Sequence, residues 1–236
     1  MARQPKNTGA VRTRRGTVWR RITRGLFLIV IACYLGGTLS LLAMRWVNPP
    51  TTAVQTERRL QSWLHRTSYR KVETPLRLAQ ISPNLQHAVV AAEDARFFQH
   101  HGFDWKQVQV AVREDLEEGK SRGASTITQQ LVKNLFLGTS RSFLRKGVEF
   151  TIVPLAELVL SKQRILELYL NVIEWGPGIY GGEAASQHYY RVPARQLTRE
   201  QAIELASILP APLRRKPGRA TEYDRAIAER MSQAGW

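Results

Sequence analysis

Residues 82–94 read SPNLQHAVVAAED, and this stretch sets the fold class of the chain. Ser82 can cap a helix, and Pro83 suits the first helical position, where a backbone N–H is not needed. The apolar residues that follow recur at the spacing of a helix with one buried face; they are Leu85, Ala88, Val89 and Ala92. Glu93 is therefore predicted at the end of a buried helix, where apolar neighbours would raise the pKa of its carboxyl group.

The helical period continues beyond residue 94. It predicts helices over Trp105–Glu118, over Ser125–Leu137 and from Phe143 onward. Pro154 is predicted to kink or interrupt the last of these near Phe150. Thr198 and Gln201 form a capping box after Leu197, ahead of another apolar helix. Alternating patterns are scarce, so the chain is predicted to be mainly α.

An apolar stretch of twenty residues without a charge runs from Gly25 to Met44. A helix of that length spans about 30 Å, the thickness of the hydrocarbon core of a bilayer. A cleaved signal peptide is the alternative, but its apolar core has about 7 to 15 residues and ends in a small-residue cleavage site. We therefore expect a retained membrane helix that crosses the bilayer once.

The first 24 residues contain eight Lys or Arg residues and no acid, within a chain of formal net charge +16. The positive-inside rule places this tail in the cytoplasm and residues 48–236 on the other side of the membrane. Nucleic acid would also attract such a tail. Beside a membrane helix, anionic lipid headgroups are the expected partner, and no nucleic acid is expected. Cys33 is the one cysteine, which excludes an internal disulfide.

Three short segments of the outer part carry a family resemblance. Residues 93–102 read EDARFFQHHG, residues 123–134 read GASTITQQLVKN, and residues 145–149 read RKGVE. They resemble the motifs E-D-x-x-F-x-x-H-x-G, G-x-S-T-I-T-Q-Q-L-x-K-N and R-K-x-x-E of the glycosyltransferase family 51 domain. Residues 165–182 and 197–210 also resemble later parts of that domain. Because no transpeptidase segment follows Trp236, the chain is more similar to the monofunctional peptidoglycan glycosyltransferases than to class A penicillin-binding proteins.

The resemblance implies a lysozyme-like, mainly α fold, with a membrane-facing jaw, a larger head and a cleft between them. Pro154 departs from the family pattern and leaves the shape of that cleft wall open. The expected organisation is a basic cytoplasmic tail (1–24), a transmembrane helix (25–44), a linker or stalk (45–74), the glycosyltransferase domain (75–217) and a C-terminal tail (218–236).

The implied reaction is the polymerisation of lipid II into glycan strands, with inversion at the anomeric carbon and release of polyprenyl diphosphate. A sugar hydroxyl needs a carboxylate to take its proton, and Glu93 is the expected general base. The polar face of the 125–137 helix can line a cleft, and the expected substrate-binding residues there are Ser125, Thr126, Gln129, Gln130 and Asn134. Asp94 is expected either to contact substrate or to hold a neighbouring backbone or Arg group.

A departing diphosphate needs fixed cations near its oxygens. The resemblance assigns this role to Lys133, Arg141, Arg145 and Lys146, although a solvated basic face is the alternative. Glu149 is the second catalytic candidate, and it could assist the leaving group or hold Mg²⁺ or Mn²⁺ against the diphosphate. His100 and His101 could bind a metal, but His100 in this motif is expected to be structural.

Two other functions remain open from the sequence. A lysozyme-like hydrolase would cut glycan strands and would need no diphosphate site. A non-catalytic scaffold would anchor cell-wall assembly factors and would need neither Glu93 nor Glu149. The expected location is the bacterial inner membrane, with a periplasmic catalytic domain. The expected partners are lipid II, the growing glycan chain, membrane lipids and proteins of cell-wall synthesis and division.

Overall fold

The computed structural model describes residues 9–118, 125–140 and 142–236, and within these ranges it describes no side chains for residues 9–17, 112 and 114–118. The chain divides into two units between Ala43 and Met44. The described part of the first unit is one helix, α1 (Gly9–Ala43). Its segment Val18–Ala43 is long and apolar enough to cross a membrane, with a mean hydropathy of 2.3. The helix thus begins well before the predicted start at Gly25.

The second unit is mainly helical, as the sequence predicts. Its α-helices are α2 (Ala53–Leu64), α3 (Pro83–Glu93), α4 (Trp105–Glu118), α5 (Ile127–Val132), α6 (Phe143–Val159), α7 (Lys162–Val172), α8 (Gly182–Tyr190), α9 (Arg199–Ile208) and α10 (Glu222–Gln233). Short strands β1 (Val72–Glu73), β2 (Glu174–Gly176) and β3 (Ile179–Tyr180) form a small sheet in the order β1-β3-β2. In this sheet β1 is parallel to β3 and β2 is antiparallel to it.

Helix α3 lies at the centre of the core. The Ser82 hydroxyl accepts a hydrogen bond from the N–H of Asn84, and Pro83 occupies the first turn, which confirms the predicted start of the helix. Leu85, Ala88 and Val89 are fully buried, and α3 packs against both α9 and α10. This burial on several sides fixes the direction of α3 and therefore the position of its last residue.

The helix predicted over Ser125–Leu137 begins later in the structure and is divided into two parts. Helix α5 covers Ile127–Val132, and Lys133–Leu137 form a π-helical turn directly after it. The wider turn changes the direction in which successive side chains point, which a simple 3.6-residue period does not predict.

Helix α6 continues through Pro154, so the predicted interruption near Phe150 is wrong. Val153 and Ala156, on either side of the proline, are fully buried, and α6 packs against α5 and α7. This packing offsets the loss of the one backbone hydrogen bond that Pro154 cannot donate.

Two segments expected to lie outside the domain are parts of the folded unit. In the expected linker, Val54 of α2 is buried, and Glu57 accepts hydrogen bonds from N and Oγ1 of Thr139 at 2.6 Å each. In the expected C-terminal tail, Ile227 and Met231 of α10 are fully buried. Both segments have few apolar residues, so composition alone suggested solvent-exposed chain.

Candidate active site

Glu93 is the last residue of α3 and lines a cavity of about 440 Å³. Its Oε2 accepts a hydrogen bond from Nε2 of Gln130 at 2.6 Å. Its Oε1 is buried and has no hydrogen-bond partner among the described residues. One carboxylate oxygen is therefore held by the protein, and the other is left to accept a proton from a bound hydroxyl group.

Gln130 is fixed in turn by Tyr169 of α7. The hydroxyl of Tyr169, a fully buried side chain, donates to Oε1 of Gln130 at 2.9 Å. Because the amide oxygen faces Tyr169, the amide nitrogen faces Glu93. The sequence assigned Gln130 to substrate, whereas the structure places its side-chain amide between Tyr169 and the candidate base.

The electrostatic surroundings of Glu93 favour a general base. Burial raises the pKa of Glu93 above its ordinary value, and the neighbouring charge of Asp94 acts in the same direction. The hydrogen bond from Gln130 and the charges of Lys133 and Arg215 oppose this rise in pKa. A carboxylate with a raised pKa holds a proton more strongly, which makes it a better acceptor for the proton of a sugar hydroxyl.

Asp94 holds the backbone around the site together. Its Oδ2 accepts a hydrogen bond from the N–H of Ile127 at 3.0 Å, and its Oδ1 lies 2.9 Å from Nε2 of His100. Both side chains are buried. Of the two roles that the sequence left open for Asp94, the geometry supports the structural one, and His100 is its partner.

Thr126 and Gln129 form a capping box at the start of α5 and are buried. The Thr126 hydroxyl also donates to the carbonyl of Gly102 at 2.6 Å. Gly102 has a φ of +88°, and a Cβ there would lie 2.5 Å from Cγ1 of Val153. A residue larger than glycine would therefore shift the backbone whose carbonyl accepts the hydrogen bond from Thr126. Thr126 thus holds the start of α5 against Gly102, and Gln129 accepts a hydrogen bond from the N–H of Thr126; both side chains were predicted to bind substrate.

The remaining polar candidates lie in different surroundings. Ser125 is exposed at the edge of the cavity. Asn134 is buried and donates to the carbonyl of Gln130 at 2.8 Å. Arg141, predicted to contact phosphate, lies outside the described residues, as do Gly123 and Ala124 of the second motif.

The candidate diphosphate-binding group is an ion cluster on α6. Glu149 is buried, and its Oε2 accepts a hydrogen bond from Nη1 of Arg145 at 2.8 Å. Its Oε1 accepts one from Nζ of Lys146 at 2.5 Å. Spacings of three and four residues place all three side chains on one helix face, as the R-K-x-x-E pattern requires.

Lys133 joins this cluster to Glu93. Burial and the nearby charge of Arg145 lower the pKa of Lys133, while the charges of Glu149 and Glu93 oppose that change. The ammonium group therefore interacts with both glutamates. Among the described residues, the lining of the cavity includes Glu93 but not Lys133, Arg145 or Glu149, so a groove shared by all four residues stays a prediction.

A second buried group has side chains that suit a metal. Asp94, His100 and Asp104 offer ligand atoms within 4.8 Å of one another. Arg96 Nη1 donates to Oδ1 of Asp104 at 3.1 Å, and both oxygens of Asp94 have partners. These contacts make a hydrogen-bonded scaffold, but Nδ1 of His100 and Oδ2 of Asp104 are buried without a hydrogen-bond partner among the described residues, so a metal role for His100 stays the alternative to the structural one.

One wall of the cavity consists of residues that the sequence did not predict to be functional. Arg215, Tyr223 and Arg230 line it together with Glu93; Tyr223 and Arg230 lie beyond the expected end of the domain at residue 217, and Arg215 lies just before that end. A signal was present, because Thr221 and Asp224 have the spacing of a capping box and do form one at the start of α10.

Comparison with known proteins identifies the family. A family model described as transglycosylase matches residues 59–233. The chain belongs to the transglycosylase family. Residues 59–233 include α10 and part of α2, in agreement with the folded unit and beyond the boundaries expected from the motifs. The lysozyme-like, mainly α fold expected from the resemblance is that of the transglycosylase domain.

Relatives within this transglycosylase family cover nearly the whole chain. A protein of Ectopseudomonas mendocina named biosynthetic peptidoglycan transglycosylase is 43% identical over 92% of this chain and 91% of its own length. Proteins with the same name from Pseudomonas putida F1 and Pseudomonas aeruginosa are 42% and 39% identical, over 93% and 92% of this chain and 89% and 94% of their own lengths. Together with the apolar segment of α1, membership in this family fits a membrane-anchored protein.

Proposed function

We propose that this chain is a peptidoglycan glycosyltransferase that polymerises lipid II with Glu93 as the general base. The observation that carries the proposal is the environment of the Glu93 carboxylate. This carboxylate lines a cavity and has one oxygen held by Gln130. It also interacts with Lys133, which lies near the cations of α6. The names of the relatives support peptidoglycan as the product.

In the proposed reaction, the 4-hydroxyl of an acceptor sugar attacks the anomeric carbon of a lipid-linked donor. The new C–O bond forms as the bond to the diphosphate oxygen breaks, and the electron pair of that bond leaves with the diphosphate. The hydroxyl proton passes to Oε1 of Glu93. A single displacement inverts the anomeric carbon, and a positioned base contributes about 10² to 10⁴ in rate.

Cations of the α5–α6 region would stabilise the leaving group. Lys133, Arg145 and Lys146 carry donors that can meet the charge developing on the diphosphate. Glu149 holds Arg145 and Lys146 in place through both of its oxygens. We propose this positioning role for Glu149, with direct assistance to the leaving group as the role expected from the resemblance.

Divalent metal stays a prediction. Both oxygens of Glu149 have cationic partners, so this carboxylate offers no ready ligand for Mg²⁺ or Mn²⁺. A metal there would have to displace Lys146 or Arg145, and no step of the proposed mechanism depends on it. A metal that stimulates the reaction would instead act mainly through substrate phosphate oxygens and water.

The proposed location is the inner membrane, with the N-terminus in the cytoplasm and the 44–236 unit in the periplasm. Confining the enzyme and its lipid-linked substrates to one surface raises their effective concentration. Lipid II and the growing glycan strand are the proposed partners, and proteins of cell-wall synthesis and division stay an expectation.

The test is incubation of the detergent-solubilised full chain with labelled lipid-linked disaccharide, with and without a chelator. We expect polymer, together with release of polyprenyl diphosphate. A hydrolase would leave this substrate unpolymerised and would shorten preformed glycan strands. A scaffold would change neither substrate, and that result would contradict the proposal. A loss of polymer with chelator, reversed by Mg²⁺ or Mn²⁺, would support a metal requirement.

A further inference from the structure

Helix α3 ends at the candidate base, and a helix end needs partners for its last carbonyl groups. The final four carbonyls of an α-helix have no partner within the helix. In α3 the carbonyl of Val90 accepts a hydrogen bond from the N–H of Asp94 at 2.9 Å. The next two carbonyls, of Ala91 and Ala92, precede Glu93 directly, so whatever holds them also holds the backbone that carries the base.

The partners of these two carbonyls come from the other end of the chain. Nη1 of Arg230 donates to the carbonyl of Ala91 at 3.0 Å, and the hydroxyl of Tyr223 donates to the carbonyl of Ala92 at 3.1 Å. Both donors belong to α10, more than 130 positions away in the sequence. They therefore fix α3 through tertiary structure and not through local capping.

Helix α10 is itself anchored along α3. Ile227 and Met231 are fully buried. Trp236 stacks on His87, with ring centroids 4.5 Å apart, and Arg199 donates to the carbonyl of Trp236. The two donors thus sit on a helix that is fastened at its middle and at its end, as a support for another group requires.

Tyr223 and Arg230 also line the cavity that contains Glu93. A change in their hydrogen bonds would therefore be felt at the reacting carboxylate and not at a remote surface. We propose that Tyr223 and Arg230 are positioning residues that set the place of Glu93 by capping the carbonyl end of α3. This inference rests on the proposed function, because it assigns a purpose to the position of the base.

The inference also predicts a change in the pH dependence of the rate, because Glu93 lies at the carbonyl end of α3. The carbonyl end of a helix carries partial negative charge, which disfavours a carboxylate beside it. The donors on α10 compensate part of that charge. Removing them would raise the pKa of Glu93 further and move the acidic limb of the rate profile to higher pH. Among the residues that the structure describes, the other charged and titratable groups that act on Glu93 or feel its charge are Asp94, Lys133, Tyr169 and Arg215.

The test compares Arg230→Met, Arg230→Lys and Tyr223→Phe in the polymerisation assay, with the full chain in detergent. We expect Arg230→Met to lower kcat about tenfold or more with little change in KM, because a small displacement of a catalytic group can cost about 10²-fold. Tyr223→Phe removes a single hydroxyl and should lower kcat less. Arg230→Lys keeps a charged donor and should restore part of the loss.

Matched controls separate positioning from general stability. Arg225→Met alters an exposed arginine of the same helix, and Tyr190→Phe removes a tyrosine hydroxyl that donates to Glu204. Neither should lower kcat or move the acidic limb. A wild-type kcat in both Arg230→Met and Tyr223→Phe would overturn the inference. So would a loss of activity that follows melting temperature alone, with no shift in the pH profile.

The same experiment distinguishes this inference from the proposed function. If the wild-type chain makes no polymer, the proposed function fails. If the wild-type chain polymerises and both variants retain its kcat and pH profile, the positioning inference alone fails.

Discussion

Replacing Gln130 with methionine removes the hydrogen bond on the Glu93 carboxylate while nearly preserving side-chain volume. The Gln130 amide donates to Oε2 of Glu93 at 2.6 Å, and the other carboxylate oxygen has no partner among the described residues. The variant therefore leaves the base without this side-chain donor. It also leaves the hydroxyl of Tyr169 without its acceptor.

The size of the effect follows from this one contact. A hydrogen bond to a charged group is worth about 1.5–3 kcal/mol. If that bond orients the base in the transition state, its loss corresponds to a decrease in kcat of about ten- to 150-fold. Because the bond also opposes the effect of burial, its loss raises the pKa of Glu93. The carboxyl group then stays protonated to higher pH, and the acidic limb of the rate profile moves upward.

The assay is polymerisation of labelled lipid-linked disaccharide by Gln130→Met across the pH range, with kcat and KM separated. Gln187→Met is the control, since Gln187 donates to Glu183 at 3.0 Å on an exposed helix face. A role in substrate binding alone would raise KM and leave the acidic limb in place. An unchanged kcat together with an unchanged acidic limb of the pH–rate profile would refute the claim that Gln130 orients Glu93.

Three further substitutions test the charges around the site. Lys133→Met should lower kcat/KM for the donor at least about tenfold, which kinetics measure. It should not lower the free energy of unfolding at pH 7, which thermal melts measure, because burial and the charge of Arg145 already disfavour the charged form of Lys133. For Glu93→Gln, the raised pKa means that stability from proton binding is present below the unfolded-state value of 4.5 and is lost as pH rises through the folded-state pKa. The variant should thus unfold at a higher temperature than wild type at pH 8, and the difference should vanish below pH 4.5. Glu149→Gln leaves Arg145 and Lys146 without their counter-ion and should lower the free energy of unfolding by about 3 kcal/mol in chemical denaturation; an unchanged midpoint would contradict the buried ion cluster.

Local signals in the sequence predict the elements that have strong caps. Ser82 with Pro83, and Thr198 with Gln201, mark the starts of α3 and α9 correctly, because both patterns act within one helical turn. The π-helical turn at Lys133–Leu137 and the continuity of α6 through Pro154 could not be predicted in this way. Both lie in segments packed against other helices, the π-helical turn against α2 and α6 against α5 and α7, and a local pattern does not report such packing.

In the candidate site, too, the sequence predicts contacts within one helix but not contacts between distant residues. The pairing of Glu149 with Arg145 and Lys146 follows from helical spacing and is visible in the sequence. The contacts of Gln130 with Glu93 and Tyr169 join residues 37 and 39 positions apart, so spacing alone gave Gln130 a role on substrate. The wall formed by α10 was missed because its residues lie outside the motifs that carried the resemblance.

The most direct measurement is turnover of labelled lipid-linked disaccharide by Glu93→Gln, with donor binding and melting temperature recorded on the same preparation. A glutamine has nearly the shape of glutamate but cannot take a proton from a sugar hydroxyl. We predict that this variant folds, binds the donor and makes no polymer. Polymerisation near the wild-type rate would show that the proton goes elsewhere and would contradict the assignment of Glu93 as the base.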